Sequence, residues 1–414
     1  MRPHSENFRE IIYVTGGFGP IQAISSPLNL EISPLTVFIG PQGTGKSLVS
    51  QLLYFFHDAE YLLSNHFNQQ GIDATVRKVV EGIRVGALTN RALASFLTTN
   101  RVHINYELNY QQNSQILNTE YKISLYKSNR KINPVGQFRK EIDKWLNRLL
   151  DDPSISGKIY ANALFIPAER TFFSRFINAD PTIIGSNSLP LTMREFAKVL
   201  NKTAETHIAW DNRLHHKPQE ANEIDNLVRS ALGGSATSAK KGPYARKWQW
   251  LPEKSNQPLE IEMASSGQMG TWPLVSTAQA LFSLPESQRP LFIHIEEPET
   301  HLHPAAQVAV VKVLAYLVNH GFRLVITTHS LVVLYMLNNL TLAYRNLPDK
   351  SIKNMPDTQA RLNPKSLSAY LFAEGTVQSI IDDSGQIDDG LLGNVLGELE
   401  VEFSQLQSYG IFWE

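Results

Sequence analysis

Short apolar runs broken by Gly, Pro and Ser fill residues 11–40 and read as strands. The last of them, Leu35-Thr-Val-Phe-Ile39, is apolar almost throughout, as in a buried strand of a parallel sheet. After a glycine-rich gap, Leu48–Tyr54 reads as a helix. Over 71–98, Val76, Val79, Val80, Ile83, Val85, Leu88, Leu93 and Leu97 recur at helical spacing. Val102–Tyr110 and Tyr121–Tyr126 then alternate apolar and polar positions across a Gln/Asn-rich segment, the pattern of an antiparallel pair. Phe138–Leu150 has an amphipathic helical pattern, and Ala161–Ile166 reads as a buried strand ending at Pro167-Ala-Glu-Arg170. Residues 171–257 are more polar and helical, with a loop expected over Leu232–Gly242 and a projecting helical insertion around it. From about 258, strands and helices alternate as in a parallel sheet covered on both faces.

Composition narrows the class. With 414 residues and 42% hydrophobic content, the chain is long enough for about two domains, or for one domain with large insertions. A net charge of −1 argues against a global basic field for nucleic acid. The absence of cysteine removes disulfides, thiolate metal sites and a Cys nucleophile. The polar N-terminus does not read as a signal peptide, and no apolar run approaches the ~20 residues that span a bilayer. The expectation is a cytoplasmic protein with no membrane partner.

Four motifs carry chemistry. Gly40-Pro41-Gln42-Gly43-Thr44-Gly45-Lys46-Ser47 fits the phosphate-loop pattern in full and lies between a strand and a helix. That arrangement aims backbone N–H groups and a helix N-terminus at a phosphate chain, so a bound nucleoside triphosphate is expected. The apolar run Leu291–Ile295 ends in Glu296-Glu297. In phosphate-loop enzymes the strand beside the loop presents a carboxylate to Mg²⁺ and the next acid polarises water, so Glu296 reads as the metal-side acid and Glu297 as the base. Ala264-Ser265-Ser266-Gly267-Gln268 precedes a helical run, where small residues can wrap a phosphate or simply cap the helix. Its distance from Glu296 leaves room for one helix, one turn and the carboxylate strand. Finally, Leu324-Val-Ile-Thr-Thr-His329 ends the next strand in a histidine within reach of the same phosphates.

In this order the motifs resemble those of the ABC-type ATPases: Gly40–Ser47 the Walker A loop, Ala264–Gln268 a loose LSGGQ-like signature, Ile293–Glu297 Walker B, and His329 the switch histidine. Glu296-Glu-Pro-Glu-Thr-His-Leu-His-Pro304, Ser265–Gln268 and Ile166-Pro-Ala-Glu-Arg170 look like the prokaryotic AAA/ABC-like ATPases related to OLD-family and SMC-like proteins. The tail Ser368–Ile380, two short strands joined near Glu374-Gly375, is similar as well. The resemblance implies an α/β fold: an ABC-type P-loop core from 1–60, 158–170 and 258–414, a helix-plus-hairpin insertion at 61–157 with an antiparallel β subdomain, and a helical arm at 171–257.

It also implies roles. Gly43, Gly45 and Lys46 would hold the phosphates of ATP, Ser47 and Glu296 would hold Mg²⁺, and Glu297, with Lys46 and His329, would form the catalytic set. Ser265 and Gly267, flanked by Ser266 and Gln268, would close over the nucleotide of a partner, giving a homodimer or higher oligomer through the ATP sites. Arg170 stands as a nucleotide contact or a structural salt bridge. More than half the chain separates loop from signature, far more than a transporter nucleotide domain needs.

No second catalytic set is evident, and the segment after His329 is short for the nuclease that OLD-family proteins append. The resemblance therefore points to an ATPase controlling a separate effector, a nuclease, as in bacterial anti-phage systems of the PARIS and Septu kind. The alternative is an SMC-like repair or chromosome-maintenance ATPase that binds DNA directly, although no segment sustains coiled-coil heptads. Three clusters read more simply. Glu299, His301 and His303 suit an inter-subunit loop better than a metal site. Lys240, Lys241, Arg246, Lys247, Trp248 and Trp250 suit a solvated loop running into a core-facing strand better than a nucleic-acid surface. Asp382, Asp383, Asp388 and Asp389 suit a polar turn better than a two-metal site.

Overall fold

The structure is a computed structural model that describes residues 8–16, 27–58, 101–112, 115–128, 131–134, 163–178, 189–241, 245–255, 257–344, 355–388, 390, 401–402 and 404–405. The helices expected over 71–98 and 138–150 lie outside these residues.

Two sheets form the frame. The larger has six strands, in the order β14 (Thr376–Ser379), β13 (Leu367–Ala373), β3 (Leu35–Ile39), β12 (Arg323–Thr328), β11 (Phe292–Glu296) and β7 (Ala163–Ile166). All pairings are parallel except β13 with β14. Val37 pairs with Ile326 on one side and Ala369 on the other, and Ile295 sits between Ile326 and Ile166. Every residue of β3, β7 and β11 is buried, as expected of parallel strands covered on both faces. The carboxylate strand β11 is not the immediate neighbour of the loop strand β3. The histidine strand β12 lies between them, a strand order that spacing along the chain does not reveal.

The second sheet is antiparallel, in the order β2 (Leu28–Glu31), β1 (Phe8–Thr15), β4 (Arg101–Gln112), β5 (Gln115–Ser128) and β6 (Lys131–Pro134). The expected pair forms as β4 and β5, with Tyr106 opposite Tyr121. This sheet docks on the C-terminal end of α1 (Lys46–His57), where Phe56 stacks on Tyr106 with centroids 4.7 Å apart. The tail hairpin β13–β14 turns through Glu374 and Gly375, both at positive φ, as a two-residue hairpin loop requires.

The described residues of the polar segment after β7 pack into the core, where the sequence suggests a projecting arm. Helices α2 (Thr171–Phe176), α3 (Leu191–Asp211) and α4 (Gln219–Leu232) pack with α5 (Ser266–Leu281) and α6 (Pro304–Asn319). Phe173, Phe196, Leu200, Ile224 and Val228 belong to the same apolar core as Val37 and Ile326. The expected loop at Leu232–Gly242 is in fact mostly strand: β8 (Gly234–Lys241) pairs antiparallel with β9 (Ala245–Pro252), which pairs with β10 (Leu259–Glu260). Small residues oppose the indoles, Ala236 facing Trp250 and Ser238 facing Trp248, so what reads locally as a flexible run is the floor under two tryptophans. No helix among the described residues is long and apolar enough to cross a membrane.

Candidate nucleotide site

The phosphate loop leaves β3 at Gly40 and enters α1 at Lys46. Gly40, Gly43 and Gly45 have φ of 144°, 76° and 101°, in the region that favours glycine. A Cβ on Gly40 would lie 2.1 Å from the carbonyl oxygen of Phe372 in neighbouring β13. Gly45 caps α1 with no side chain bonded to the first-turn N–H groups, which leaves them available to an anion. Thr44 Oγ1 donates to the Pro41 carbonyl at 2.9 Å. Lys46 folds back over the loop, donating to the Gly40 and Pro41 carbonyls at 2.8 and 2.7 Å. Burial lowers its pKa to about 8, against the opposing pull of Glu297 and Glu299.

Glu296 closes β11 beneath this loop. Its buried carboxylate accepts from the Ser47 hydroxyl, from Gln51 Nε2 at 3.3 Å and from the Ala168 N–H at 3.4 Å. Burial, with Glu169 nearby, raises its pKa to about 7 despite these donors. Such a carboxylate beside a hydroxyl is a poorly neutralised pair of hard oxygen donors. The residues present therefore fit Mg²⁺, which takes such ligands together with phosphate oxygens.

Glu297 follows at φ +43°, a left-handed conformation uncommon outside glycine. Its N–H donates to the Thr327 carbonyl at 2.9 Å. Thr300 Oγ1 donates to its carboxylate at 3.1 Å, and His329 Nε2 stands 3.6 Å from the other carboxylate oxygen. The turn out of β11 thus aims Glu297 sideways, toward the histidine at the end of β12.

Glu299, in the segment read above as an inter-subunit loop rather than a metal site, has a task within the chain. Its Oε1 accepts from Thr328 Oγ1 at 2.6 Å and from the His329 N–H at 2.8 Å, so it holds the histidine loop against the carboxylate turn. His303 Nδ1 caps α6 by accepting from the Ala305 N–H. Among the described residues no group of three metal-ligating side chains gathers.

Among the described residues Arg170 makes no hydrogen bond to Gly40–Ser47. It is wholly buried, and its donors go to backbone carbonyls: Gly270 at 2.5 Å, Pro167 at 3.2 Å, Glu296 at 2.7 Å and Glu297 at 2.8 Å. Among the described residues these carbonyls, and no carboxylate, are its hydrogen-bond partners, which differs from the structural salt bridge that the sequence suggests.

The small-residue segment forms the N-terminus of α5. Ser265 and Gln268 make a reciprocal capping box, and Gln268 Nε2 also donates to the Leu232 carbonyl at 2.8 Å. Ser265 and Ser266 are exposed, and a Cβ on Gly267 would lie 2.8 Å from the His301 carbonyl oxygen. Helix α5 packs on α2, α3 and α4, whereas α1 packs on β7, β11 and β12. Among the described residues no hydrogen bond joins Ser265–Gln268 to Gly40–Ser47. Within one chain, then, Lys46, Ser47, Glu296, Glu297 and His329 converge, and the segment 265–268 does not join them.

One buried polar chain crosses between the two sheets. Tyr106 and His57 both bond Glu10, His57 Nδ1 meets His294 Nε2 at 2.9 Å, and His294 Nδ1 meets Ser50 Oγ at 3.2 Å. It ties the antiparallel sheet to β11 and α1, and no local pattern announces it. The basic-aromatic cluster comes apart: Trp248 and Trp250 are buried, with Trp248 against Trp272 at 4.4 Å, so neither indole is available to stack on a base. Asp382 is a turn residue that accepts from Ser384 and Gln386.

A family model described as the AAA ATPase domain matches residues 95–334, a span that begins after the phosphate loop and includes Arg170, Ser265–Gln268, Glu296, Glu297 and His329. No curated protein matches the sequence. Among solved structures, the Smc head bound to the C-winged helix domain of ScpA aligns at 14% identity over 90% of this chain and 96% of its own, with a TM-score of 0.45. The Smc head with an extended coiled coil bound to the C-terminal domain of ScpA, derived from Pyrococcus furiosus, aligns at 13% over 95% and 100%, with 0.44. The SMC head domain from Thermotoga maritima aligns at 12% over 92% and 98%, with 0.40.

Proposed function

This chain belongs to the AAA ATPase domain family, and from that premise we propose that it binds ATP with Mg²⁺, hydrolyses it, and uses nucleotide-dependent pairing of two copies to control a separate effector. The observation that carries the reading is the convergence of Lys46, Ser47, Glu296, Glu297 and His329 at the ends of β3, β11 and β12.

Each side chain has a task that its surroundings support. Lys46 exchanges the Gly40 and Pro41 carbonyls for phosphate oxygens, keeping its charge because phosphate offsets the burial that lowers its pKa. The N–H groups of Gly43–Lys46 and the open end of α1 receive the phosphate chain. Mg²⁺, held by Ser47 and Glu296, would neutralise phosphate charge. Glu297 accepts a proton from the attacking water, and His329, 3.6 Å away, steadies it and senses the terminal phosphate. Ser265, exposed at a helix N-terminus, and the half-buried Gly267, neither bonded to its own loop among the described residues, close over the nucleotide of a second copy. Two copies related by a two-fold axis would then share two sites. The effector, a nuclease in anti-phage defence, is inferred from a full ATPase set without a second catalytic set among the described residues.

Two variants test the chemistry. Lys46→Ala should abolish ATP binding in a filter or fluorescence assay. Glu297→Gln should keep binding, lose about 10²- to 10⁴-fold in turnover, and shift to a dimer or larger assembly with ATP in light scattering. Undiminished hydrolysis by Glu297→Gln would remove Glu297 as the base, and an ATP-loaded variant that stays monomeric would remove the sandwich. Adding the product of the adjacent reading frame and seeing no change in turnover or assembly would count against the effector.

A further inference from the structure

Resting on the ATPase reading above, we infer that Arg170 is a positioning residue that bolts Glu297 to the segment 265–268, so that each chain's catalytic glutamate moves as one body with the signature helix it lends to its partner. The juxtaposition is a buried guanidinium donating to the Glu296 and Glu297 carbonyls on one side and to the Gly270 carbonyl, in the second turn of α5, on the other.

Pro273 within α5 leaves one carbonyl of that helix without its helical donor. Proline has no N–H, so the Met269 carbonyl one turn earlier loses its helical partner. Ser174 Oγ on α2 takes it at 2.6 Å and accepts from Trp272 Nε1 at 2.7 Å. Arg170, at the N-terminus of the same α2, takes the next carbonyl, that of Gly270. Helix α2 is thus docked on the opening turns of α5 by two side chains one turn apart. Close backbone approach completes the joint: a Cβ on Gly267 would meet the His301 carbonyl oxygen at 2.8 Å, and one on Gly270 would meet Thr171 Cγ2 at 3.3 Å and the Thr300 oxygen at 3.5 Å.

On the other side, Arg170 holds the strained end of the carboxylate strand. Glu297 and His301 have φ of +43° and +63°, conformations that persist only where surroundings enforce them. Two of the enforcing bonds are the Arg170 donations to the Glu296 and Glu297 carbonyls. Burial lowers the Arg170 pKa to about 10, with the nearby carboxylates, Glu299 foremost, opposing, so the guanidinium stays charged at neutral pH. A lysine cannot replace it, because one ammonium cannot span carbonyls on three elements.

The test compares wild type, Arg170→Lys and Ser174→Ala as full chains. For Arg170→Lys, ATP affinity should stay within about threefold while kcat falls about 10- to 100-fold, the cost of a misplaced base. The Hill coefficient of turnover should approach 1. Ser174→Ala leaves the Glu296 and Glu297 carbonyls bonded and loosens only the α5 side, so cooperativity should fall with kcat nearly kept. Loss of affinity and kcat together in Arg170→Lys, or wild-type kcat and cooperativity in both variants, would overturn the proposal. If Arg170→Lys does not fold, unchanged cooperativity in Ser174→Ala overturns it. Hydrogen exchange separates this idea from the ATPase reading. Amides of 297–302 should exchange about tenfold faster in Arg170→Lys without nucleotide, and unchanged exchange refutes the bolt whether or not the chain hydrolyses ATP.

Discussion

Gly40 and Gly43 belong to the same loop motif but face different constraints. Both need positive φ, yet Gly43 has open space where a Cβ would go, while Gly40 is pressed against the Phe372 carbonyl at 2.1 Å. Gly43→Ala should therefore incur only the left-handed penalty of roughly 1–2 kcal/mol. Gly40→Ala must also push β13 from β3, and should destabilise by clearly more than that, read as a lower urea midpoint and a Tm that no longer rises with ATP. Equal effects at the two positions would contradict the close approach. The glycine pattern was legible in the sequence because a phosphate loop is contiguous. Which glycine is held by sterics was not, because the obstructing atom lies more than three hundred residues away. Arg170 makes the same point: its neighbours in the chain suggest a charge, and only the carbonyls of Glu296, Glu297 and Gly270 show how it is used.

At the scale of elements, β9 tests how local pattern and packing trade off. Lys247-Trp-Gln-Trp250 alternates as a strand should, and both indoles turn inward. Trp248 lies 4.4 Å from Trp272 and 5.3 Å from His207. Trp248→Ala should cost about 3–5 kcal/mol in urea unfolding, as for other large-to-small core changes. It should leave any salt-dependent binding to DNA ends unaltered. A near-neutral change in stability with lost DNA binding would restore the exposed-aromatic reading. The partner strand β8 reads as a loop in the sequence because Gly, Ser and Ala have weak strand preference by themselves. Their place is decided by the need for small side chains opposite Trp248 and Trp250, a cross-strand requirement that composition does not encode. By contrast, β4, β5, β13 and β14 were readable because alternation, or a positive-φ pair such as Glu374-Gly375, is a local signal.

For the molecule as a whole, buried histidines set the acid limit. Burial lowers the pKa of His207 from 6.5 to about 4, and that of His294 well below 6.5. Both are neutral when folded, whereas the unfolded chain protonates them below about 6.5. Stability from these groups is therefore fully present above 6.5 and falls as the pH drops toward 4. Each contributes a slope of up to about 1.4 kcal/mol per pH unit. Glu296, raised from 4.5 to about 7, works in the opposite direction between those values and offsets one histidine. The net expectation is a loss of stability as the pH falls from 6 to 4.5, measured by urea unfolding without nucleotide. Stability that rises on acidification would show that these histidines are not held neutral.

The identity of the chemical groups could be read from local sequence. Gly40–Ser47, Glu296, Glu297 and His329 each sit at the end of an apolar run, and a strand followed by a tight turn needs only neighbouring residues to specify it. The convergence of those ends was implied by the resemblance alone, and local pattern does not specify how it is achieved. It depends on β12 inserting between β3 and β11, on Glu299 gripping the histidine loop, and on Arg170 joining the carboxylate turn to α5. Those contacts pair residues up to hundreds of positions apart, many of them through backbone N–H and carbonyl groups that carry no sequence signature. They form only once burial leaves those groups no water to bond instead.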